Sequence, residues 1–135
     1  MYDEVVVAVL TNSQKQSLFT IEERIEMVRQ AVSPWSNVSV ETFDALLVDF
    51  CKKRGIEVIV KGLRAVSDFD YELQMAQMNY RLAQVETAFV ATNPEYGYLS
   101  SSLIKEISKH GGDVEGLVPA GVLEALHRHY PQGGR

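Results

Sequence analysis

The sequence is poor in cysteine and has no long apolar run, so we expect neither a disulfide framework nor a membrane span. Its one cysteine, Cys51, follows an apolar run, and we expect half-buried packing in a reducing compartment rather than a nucleophile or a ligand. No apolar run approaches the roughly 20 residues that a membrane-spanning helix requires, and no signal-peptide pattern opens the chain. These features predict a cytoplasmic protein without a membrane partner.

Basic residues are fewer than acidic ones, and no histidine follows a predicted strand. Thirteen Lys and Arg against 18 Asp and Glu give a net charge of −5. General nucleic-acid binders carry a basic face, so we expect no nucleic-acid partner. The three histidines, His110, His127 and His129, lie at or in predicted helices and none follows a strand, so we assign none of them to catalysis.

The order of apolar runs and capping signals predicts strands alternating with helices. Strands are predicted at Asp3–Leu10, Val38–Thr42, Glu57–Lys61 and Glu86–Thr92, the first buried on both faces. Helices are predicted from the cap Thr20 to about Ser33, from Asp44 to Arg54, from Ser67 or Asp68 to about Ala83, and from Ser100 or Ser101 to Gly111-Gly112. A last helix is predicted at Val122–His129. This order predicts an α/β fold with an open parallel sheet, in one domain over residues 1–130 with a polar tail at 131–135.

Cations and hydroxyls follow three of the predicted strands. Lys15 follows the first strand, Lys61 and Arg64 the third, and Ser100–Ser102 the fourth. Because the carboxyl ends of parallel strands meet at one edge of a sheet, we expect these groups to converge there. Gly62 would let a ligand approach the backbone, and the serines offer N–H groups at a helix start, so the pattern predicts a polyphosphate site.

The long helix that follows has two further features. Acidic residues crowd its start, as the helix dipole alone would favour, and we predict no metal site there; Glu72 lies far enough in to meet a ribose hydroxyl. Its apolar band is too wide for one sheet, and it indicates either a contact with another subunit or a helix more buried than usual: Phe69, Leu73, Met75, Ala76, Met78 and Leu82.

Long motifs in a fixed order resemble those of bacterial phosphopantetheine adenylyltransferases. The motifs are Phe19–Arg24, Lys61–Arg64, Asp68–Asn79, Ser100–Glu106 and Gly111–Val114. The likeness runs from about Tyr2 to Arg128 and implies a Rossmann-like, open parallel sheet of the nucleotidyltransferase type.

The resemblance implies adenylyl transfer from ATP, with Mg²⁺, to 4′-phosphopantetheine, giving dephospho-CoA and pyrophosphate. By position, phosphopantetheine would contact Lys15, Leu47 and Lys61. ATP would contact Gly62, Leu63, Arg64, Glu72, Tyr96, Gly97, Tyr98, Leu99, Ser100, Ser101 and Ser102. The resemblance further implies a homohexamer, if the protein is intact, and CoA as a feedback ligand.

Two departures from the family pattern change the expectation. Gly97 stands where the family commonly has serine, which removes a hydroxyl from the adenine side. The family also opens with a strand and a loop of the form Pro-Gly-Ser/Thr-Phe-Asp-Pro-x-Thr-x-Gly-His, and no such segment occurs in the sequence. We therefore expect a sheet without its first strand and helix, no catalytic residue in this chain, and little adenylyl transfer by this polypeptide alone.

Two other functions remain open from the sequence. A non-catalytic module that binds nucleotides or CoA could keep the anion-binding groups at Lys61–Arg64 and Ser100–Ser102 without turnover. A sister nucleotidyltransferase with another phosphate-bearing acceptor is the second alternative.

Overall fold

A computed structural model of the chain describes residues 2–11, 17–64 and 66–131, and for residues 66–68 it describes the backbone only. The elements in chain order are β1 (Val5–Leu10), α1 (Ile21–Val32), β2 (Val38–Phe43), α2 (Leu47–Arg54), β3 (Val58–Leu63), α3 (Val66–Ala83), β4 (Glu86–Ala91), a short 3₁₀ helix (Pro94–Tyr96), α4 (Ser101–Lys109) and α5 (Ala120–His129). The predicted α/β class with parallel strands is confirmed. None of the helices in the described ranges is long and apolar enough to cross a membrane.

The chain divides into two compact units. Unit 1 consists of Met1–Phe43 and Leu99–Arg135, and unit 2 is Asp44–Tyr98. The strands correspondingly form two two-stranded parallel sheets, β1 with β2 and β3 with β4. The assignment of residues 1–130 to one domain stays a prediction, and residues 132–135 of the predicted tail lie outside the described residues.

Unit 1 is organised around a core beneath its C-terminal helices. Ile104 of α4, Val114 and Leu126 of α5 are buried together, and half-buried apolar side chains, Leu99 among them, pack against this cluster. β1 and β2 pair in parallel from Val5 opposite Val38 to Leu10 opposite Phe43. The strand β1 was predicted to be buried on both faces, which is wrong, since Val9 is its one buried residue. An apolar run shows that a strand could be buried on both faces, but burial also requires other elements to pack against each face of the sheet.

A capping box begins α1, as predicted. The backbone N–H of Glu23 donates to the Thr20 hydroxyl at 3.2 Å, and the backbone N–H of Thr20 donates to the Glu23 carboxylate at 2.9 Å. Two N–H groups at the helix start, which have no partner within the helix, are thereby satisfied. The cap fixes where the chain turns from the preceding loop into α1.

Unit 2 has a smaller core on one face of its sheet. Cys51 of α2, Ile59 of β3 and Val85 are buried together, with Leu47, Ile56 and Ala83 packed against them. Cys51 is 2% exposed, so it is more deeply buried than the predicted half-buried position. Burial raises the pKa of the Cys51 thiol, because desolvation disfavours the thiolate, and this agrees with a packing role.

Several predicted element boundaries in unit 2 differ from those of the structure, by one residue at the start of β3 and at the end of β4. The helix α2 begins at Leu47 rather than Ala45, and its N-cap is Leu46 rather than Asp44, because Ala45 has a left-handed φ of 65° that no helix residue adopts. The helix α3 begins at Val66, so Ser67 and Asp68 lie in its first turn instead of capping it. The strand β3 runs to Leu63 instead of ending at Lys61, which places Gly62 and Leu63 in the strand instead of after it.

We predict that Thr20→Ala lowers the free energy of unfolding by about 1 kcal/mol, the typical cost of losing a hydroxyl N-cap. Thr20→Ser keeps the oxygen that accepts from Glu23 and should unfold close to the wild type. Urea denaturation followed by far-UV circular dichroism measures both changes. Equal losses in the two variants would show that the hydroxyl is not what stabilises this helix start.

We also predict a pH-dependent contribution from Glu23. The hydrogen bond from the backbone N–H of Thr20 lowers the pKa of the Glu23 carboxyl, and the hydrogen bond with the Thr20 side chain lowers it further. A carboxyl whose folded pKa is depressed stabilises the fold above the unfolded pKa, about 4.3, and loses that contribution as the pH falls through the folded value. Glu23→Gln keeps an acceptor but does not titrate. The stability advantage of the wild type over this variant should therefore be constant near neutral pH and shrink below about pH 4.3, and an advantage that does not change down to pH 3 would contradict the prediction.

Candidate functional site

The candidate site of unit 2 is built at the carboxyl end of β3. Lys61, Gly62 and Leu63 are the last three residues of the strand, and they lie opposite Phe89, Val90 and Ala91 of β4. Arg64 follows directly and is exposed. Ladder hydrogen bonds of the parallel pair fix the backbone up to this point, so the strand delivers a lysine, a glycine and an arginine at its carboxyl end.

An ion pair joins two of the predicted ligand-binding residues. The Lys61 ammonium lies 3.6 Å from a Glu72 carboxylate oxygen, and the two side chains are 40% and 27% exposed. Exposed pairs of this kind contribute only about 0 to 1 kcal/mol, because water screens the charges and two long side chains must be ordered. The pair therefore sets the side chains side by side without locking them, and a ligand with more charge can displace either partner.

A close contact between β3 and the residue after β4 surrounds Gly62. The backbone N–H of Thr92 and its hydroxyl both donate to the carbonyl of Leu63, each at 3.1 Å. A Cβ placed on Gly62 would lie 3.1 Å from the Thr92 methyl Cγ2, which is tighter than nine in ten Cβ contacts. Sequence reasoning missed Thr92, although a glycine inside a strand is a general signal of close approach by a neighbour.

The aromatic segment of unit 2 lies on and after the 3₁₀ helix. The Asn93 carboxamide oxygen accepts from the backbone N–H of Glu95 at 3.0 Å and caps this helix. Tyr96 and Tyr98 are both exposed, with Tyr98 at 64%. Gly97 has φ −63°, an ordinary conformation for any residue, and a Cβ there would meet the Pro94 carbonyl oxygen at 3.4 Å. The backbone at this position therefore does not require glycine.

The serine segment of unit 1 begins α4. Ser100 is the N-cap, as the sequence predicted, and its hydroxyl accepts from the backbone N–H of Leu103 at 3.1 Å. Ser101 and Ser102 are exposed in the first turn of the helix, where backbone N–H groups and the helix dipole favour an anion. Leu99 packs against the core of unit 1.

The remaining predicted ligand residues have different positions. Leu47 is half-buried at the start of α2 and packs against the core of unit 2, so it has a structural role there. Lys15 lies outside the described residues. The structure thus brings Lys61 and Glu72 together and places Gly62 and Arg64 beside Lys61 in the chain, whereas the convergence of these groups with Ser100–Ser102 stays a prediction.

No group of three or more His, Cys, Asp or Glu side chains within the described ranges is arranged to hold a metal ion. The histidines lie away from strand ends, as the sequence indicated. The His129 ring, for example, meets the rings of Phe19 and Tyr130 edge-on, with centroids 6.1 Å and 4.8 Å apart. The site chemistry that the described side chains offer is cation, carboxylate, hydroxyl and backbone N–H.

Comparison with known proteins connects this arrangement to one family. A family model described as cytidylyltransferase-like matches residues 1–107. The phosphopantetheine adenylyltransferase of Streptomyces coelicolor is 64% identical over 126 residues, which are 93% of this chain and 79% of that protein. The phosphopantetheine adenylyltransferase of Frankia casuarinae is 58% identical over 98% of this chain and 84% of that protein. That of Frankia alni is 61% identical over 93% of this chain and 80% of that protein. The chain therefore belongs to the cytidylyltransferase-like family and to the phosphopantetheine adenylyltransferases.

Proposed function

We propose that this protein transfers the adenylyl group of ATP to the phosphate of 4′-phosphopantetheine, giving dephospho-CoA and pyrophosphate. The observation that carries this assignment is the Lys61–Glu72 pair at the carboxyl end of β3, directly before Gly62 and Arg64. A cation and a carboxylate side by side suit a reaction between two phosphates, one of them attached to a ribose. The names of the relatives specify phosphopantetheine as the acceptor and an adenylyl group as the group that is transferred.

The ATP-binding residues that we propose are Gly62, Leu63, Arg64, Glu72, Tyr96, Gly97, Tyr98, Leu99, Ser100, Ser101 and Ser102. In unit 2, the planar guanidinium of Arg64 matches phosphate oxygens, and the Glu72 carboxylate can accept a hydrogen bond from a ribose hydroxyl. In unit 1, the first turn of α4 offers N–H groups and the hydroxyls of Ser101 and Ser102 to an anion. Each of these groups stabilises negative charge or orients the nucleotide.

The phosphopantetheine-binding residues that we propose are Lys15, Leu47 and Lys61. Lys61 would exchange its weak pairing with Glu72 for the acceptor phosphate, because a phosphate carries more charge than a carboxylate. An oxygen of that phosphate then attacks the α-phosphorus of ATP as the bond from this phosphorus to the pyrophosphate oxygen breaks. No covalent intermediate is needed, so these residues act by positioning and by neutralising charge.

Magnesium, oligomeric state and regulation are part of the same proposal. Magnesium is commonly bound through substrate phosphates with few protein ligands, so we propose that it enters the site together with ATP. An exposed apolar band on α3, with Met78 at 50% and Leu82 at 53%, supports a contact with another subunit, and we propose a homohexamer. We further propose CoA as a feedback ligand and the cytoplasm as the location.

Ligand binding to residues 1–135 is the first experiment, since the expected weak turnover of this polypeptide makes a rate a poor primary readout. Isothermal titration with a non-hydrolysable ATP analogue and with 4′-phosphopantetheine should show both ligands bound, and nicotinate mononucleotide or glycerol phosphate should not replace the acceptor. Pyrophosphate release is measured in parallel. Binding of another acceptor in place of phosphopantetheine would move the assignment to a sister nucleotidyltransferase, and absence of ATP binding would overturn the proposal.

We predict opposite effects on the two ligands when Glu72 is neutralised. Glu72→Gln removes the partner charge of Lys61, so affinity for phosphopantetheine should rise about twofold or more, while affinity for the ATP analogue should fall about tenfold. Lys61→Met should instead lower the affinity for phosphopantetheine about tenfold or more. Lys52→Met, on the exposed face of α2, is the matched control and should change neither affinity. If Glu72→Gln lowered the affinity for both ligands to a similar extent, these roles would be contradicted.

We predict that Arg64→Lys weakens the ATP analogue about tenfold, because an ammonium cannot reproduce the two parallel hydrogen bonds of a guanidinium fork. Arg81→Lys, in the last turn of α3, provides the same substitution at an exposed site and should be neutral. The titration used above measures both variants. Equal affinity of Arg64→Lys and the wild type would remove Arg64 from the ATP site.

A further inference from the structure

We infer that Thr92 is a positioning residue of the ATP site, an assignment that rests on the proposed function. Thr92 follows the last residue of β4 and is half-buried beside the Gly62–Leu63 backbone. Neither the motifs of the sequence nor its charges single it out. Its contacts are with main-chain atoms of β3, and they determine the direction in which the chain leaves that strand.

The first contact is a double hydrogen bond to one carbonyl. The backbone N–H and the hydroxyl of Thr92 both donate to the Leu63 oxygen, each at 3.1 Å. A carbonyl oxygen has two lone pairs, so both are used. The Leu63 carbonyl and the Arg64 N–H belong to the same planar, trans peptide unit and point in opposite directions. Fixing the carbonyl therefore fixes the Arg64 N–H and the Cα from which the guanidinium side chain extends.

The second contact is steric and involves the methyl group of the same side chain. The Thr92 Cγ2 lies 3.1 Å from the position that a Cβ on Gly62 would occupy. The methyl thus fills the space over Gly62 that any other residue would need for its own side chain. Hydroxyl and methyl act on adjacent residues, and together they hold Gly62 and Leu63 from one side.

A stabilising role alone does not account for this arrangement. The pairing of β3 with β4 already extends over six residue pairs, from Val58 opposite Glu86 to Leu63 opposite Ala91, and a backbone N–H at position 92 continues it without any side chain. The hydroxyl adds a second donor at the peptide before Arg64. Its loss should therefore change how Arg64 is presented to ATP more than it changes the pairing of the strands.

Substitutions that separate the hydroxyl from the methyl test the assignment. Thr92→Val keeps the shape and removes the hydroxyl, and it should weaken the ATP analogue about fivefold, the equivalent of one typical net hydrogen bond. Affinity for phosphopantetheine should stay within about twofold, since Lys61 and its ladder bonds are retained. Thr92→Ser keeps the hydroxyl and should bind ATP nearly as the wild type does. Thr87→Val is the matched control in β4, because the buried Thr87 hydroxyl has no hydrogen-bond partner among the described residues.

A compensating pair of changes tests the steric contact independently. Gly62→Ala places a Cβ against the Thr92 methyl and should weaken ATP binding. Adding Thr92→Ser removes that methyl and should restore much of the affinity, whereas adding Thr92→Val should restore none. This comparison also keeps the test informative if one single variant folds poorly, which the thermal midpoint by circular dichroism reports.

The outcomes distinguish this inference from the proposed function. If the wild type does not bind the ATP analogue, the proposed function fails. If the wild type binds and Thr92→Val binds equally, or if Thr92→Val loses both ligands and thermal stability in parallel, the positioning role of Thr92 is overturned while the function stands. The expected result is that Thr92→Val lowers the affinity for ATP but not for phosphopantetheine. In the Gly62→Ala background, Thr92→Ser should restore the affinity for ATP and Thr92→Val should not.

Discussion

The candidate site of unit 2 depends on the parallel pairing of β3 with β4. Six pairs in register hold two short strands that have one buried residue between them, Ile59, so the ladder rather than a large core fixes their relative position. Every proposed group from Lys61 to Arg64 lies at the end of that ladder. A slip of one residue would reverse the faces of Lys61 and Gly62 and move Thr92 away from the Leu63 carbonyl. The register is therefore the constraint from which the geometry of the site follows.

The Lys61–Glu72 pair illustrates why weak interactions suit a site of this kind. A deeply buried ion pair would be expensive to break, because each charge left alone loses its partner in a medium that cannot solvate it. Here both side chains are partly exposed, at 40% and 27%, so water solvates whichever charge a substrate leaves behind. In the proposed site, the pair holds a cation and a carboxylate side by side and is weak enough to be exchanged for a phosphate.

Local signals in the sequence predicted local structure well. Thr20 with Glu23 predicted the start of α1, and Ser100 predicted the start of α4, because a cap and its helix lie within three residues of each other. The left-handed Ala45 delayed α2 by two residues, and nothing in its side chain signals that conformation. Thr92 could not be found from the sequence, because its contact with Leu63 spans 29 residues and depends on strand register. The overestimated burial of β1 has the same origin, since a run of valines does not specify what packs against it.

The hydrogen-bonded backbone of the candidate site matches what adenylyl transfer requires. The reaction needs no nucleophile on the protein, so catalysis depends on where charges and N–H groups are held. Main-chain features can be held closely: the Leu63 carbonyl accepts two hydrogen bonds, and Ser100 caps the first turn of α4. Among the residues that the structure describes, the charged ends of Lys61 and Glu72 pair with each other. At position 97, serine could adopt the backbone that Gly97 has, because its φ is −63° and an added Cβ would make an ordinary contact of 3.4 Å. An exchange between glycine and serine there would change the chemistry of the loop without changing its path. The backbone of the candidate site is therefore fixed by hydrogen bonds, whereas the Lys61–Glu72 pair is partly exposed and weak.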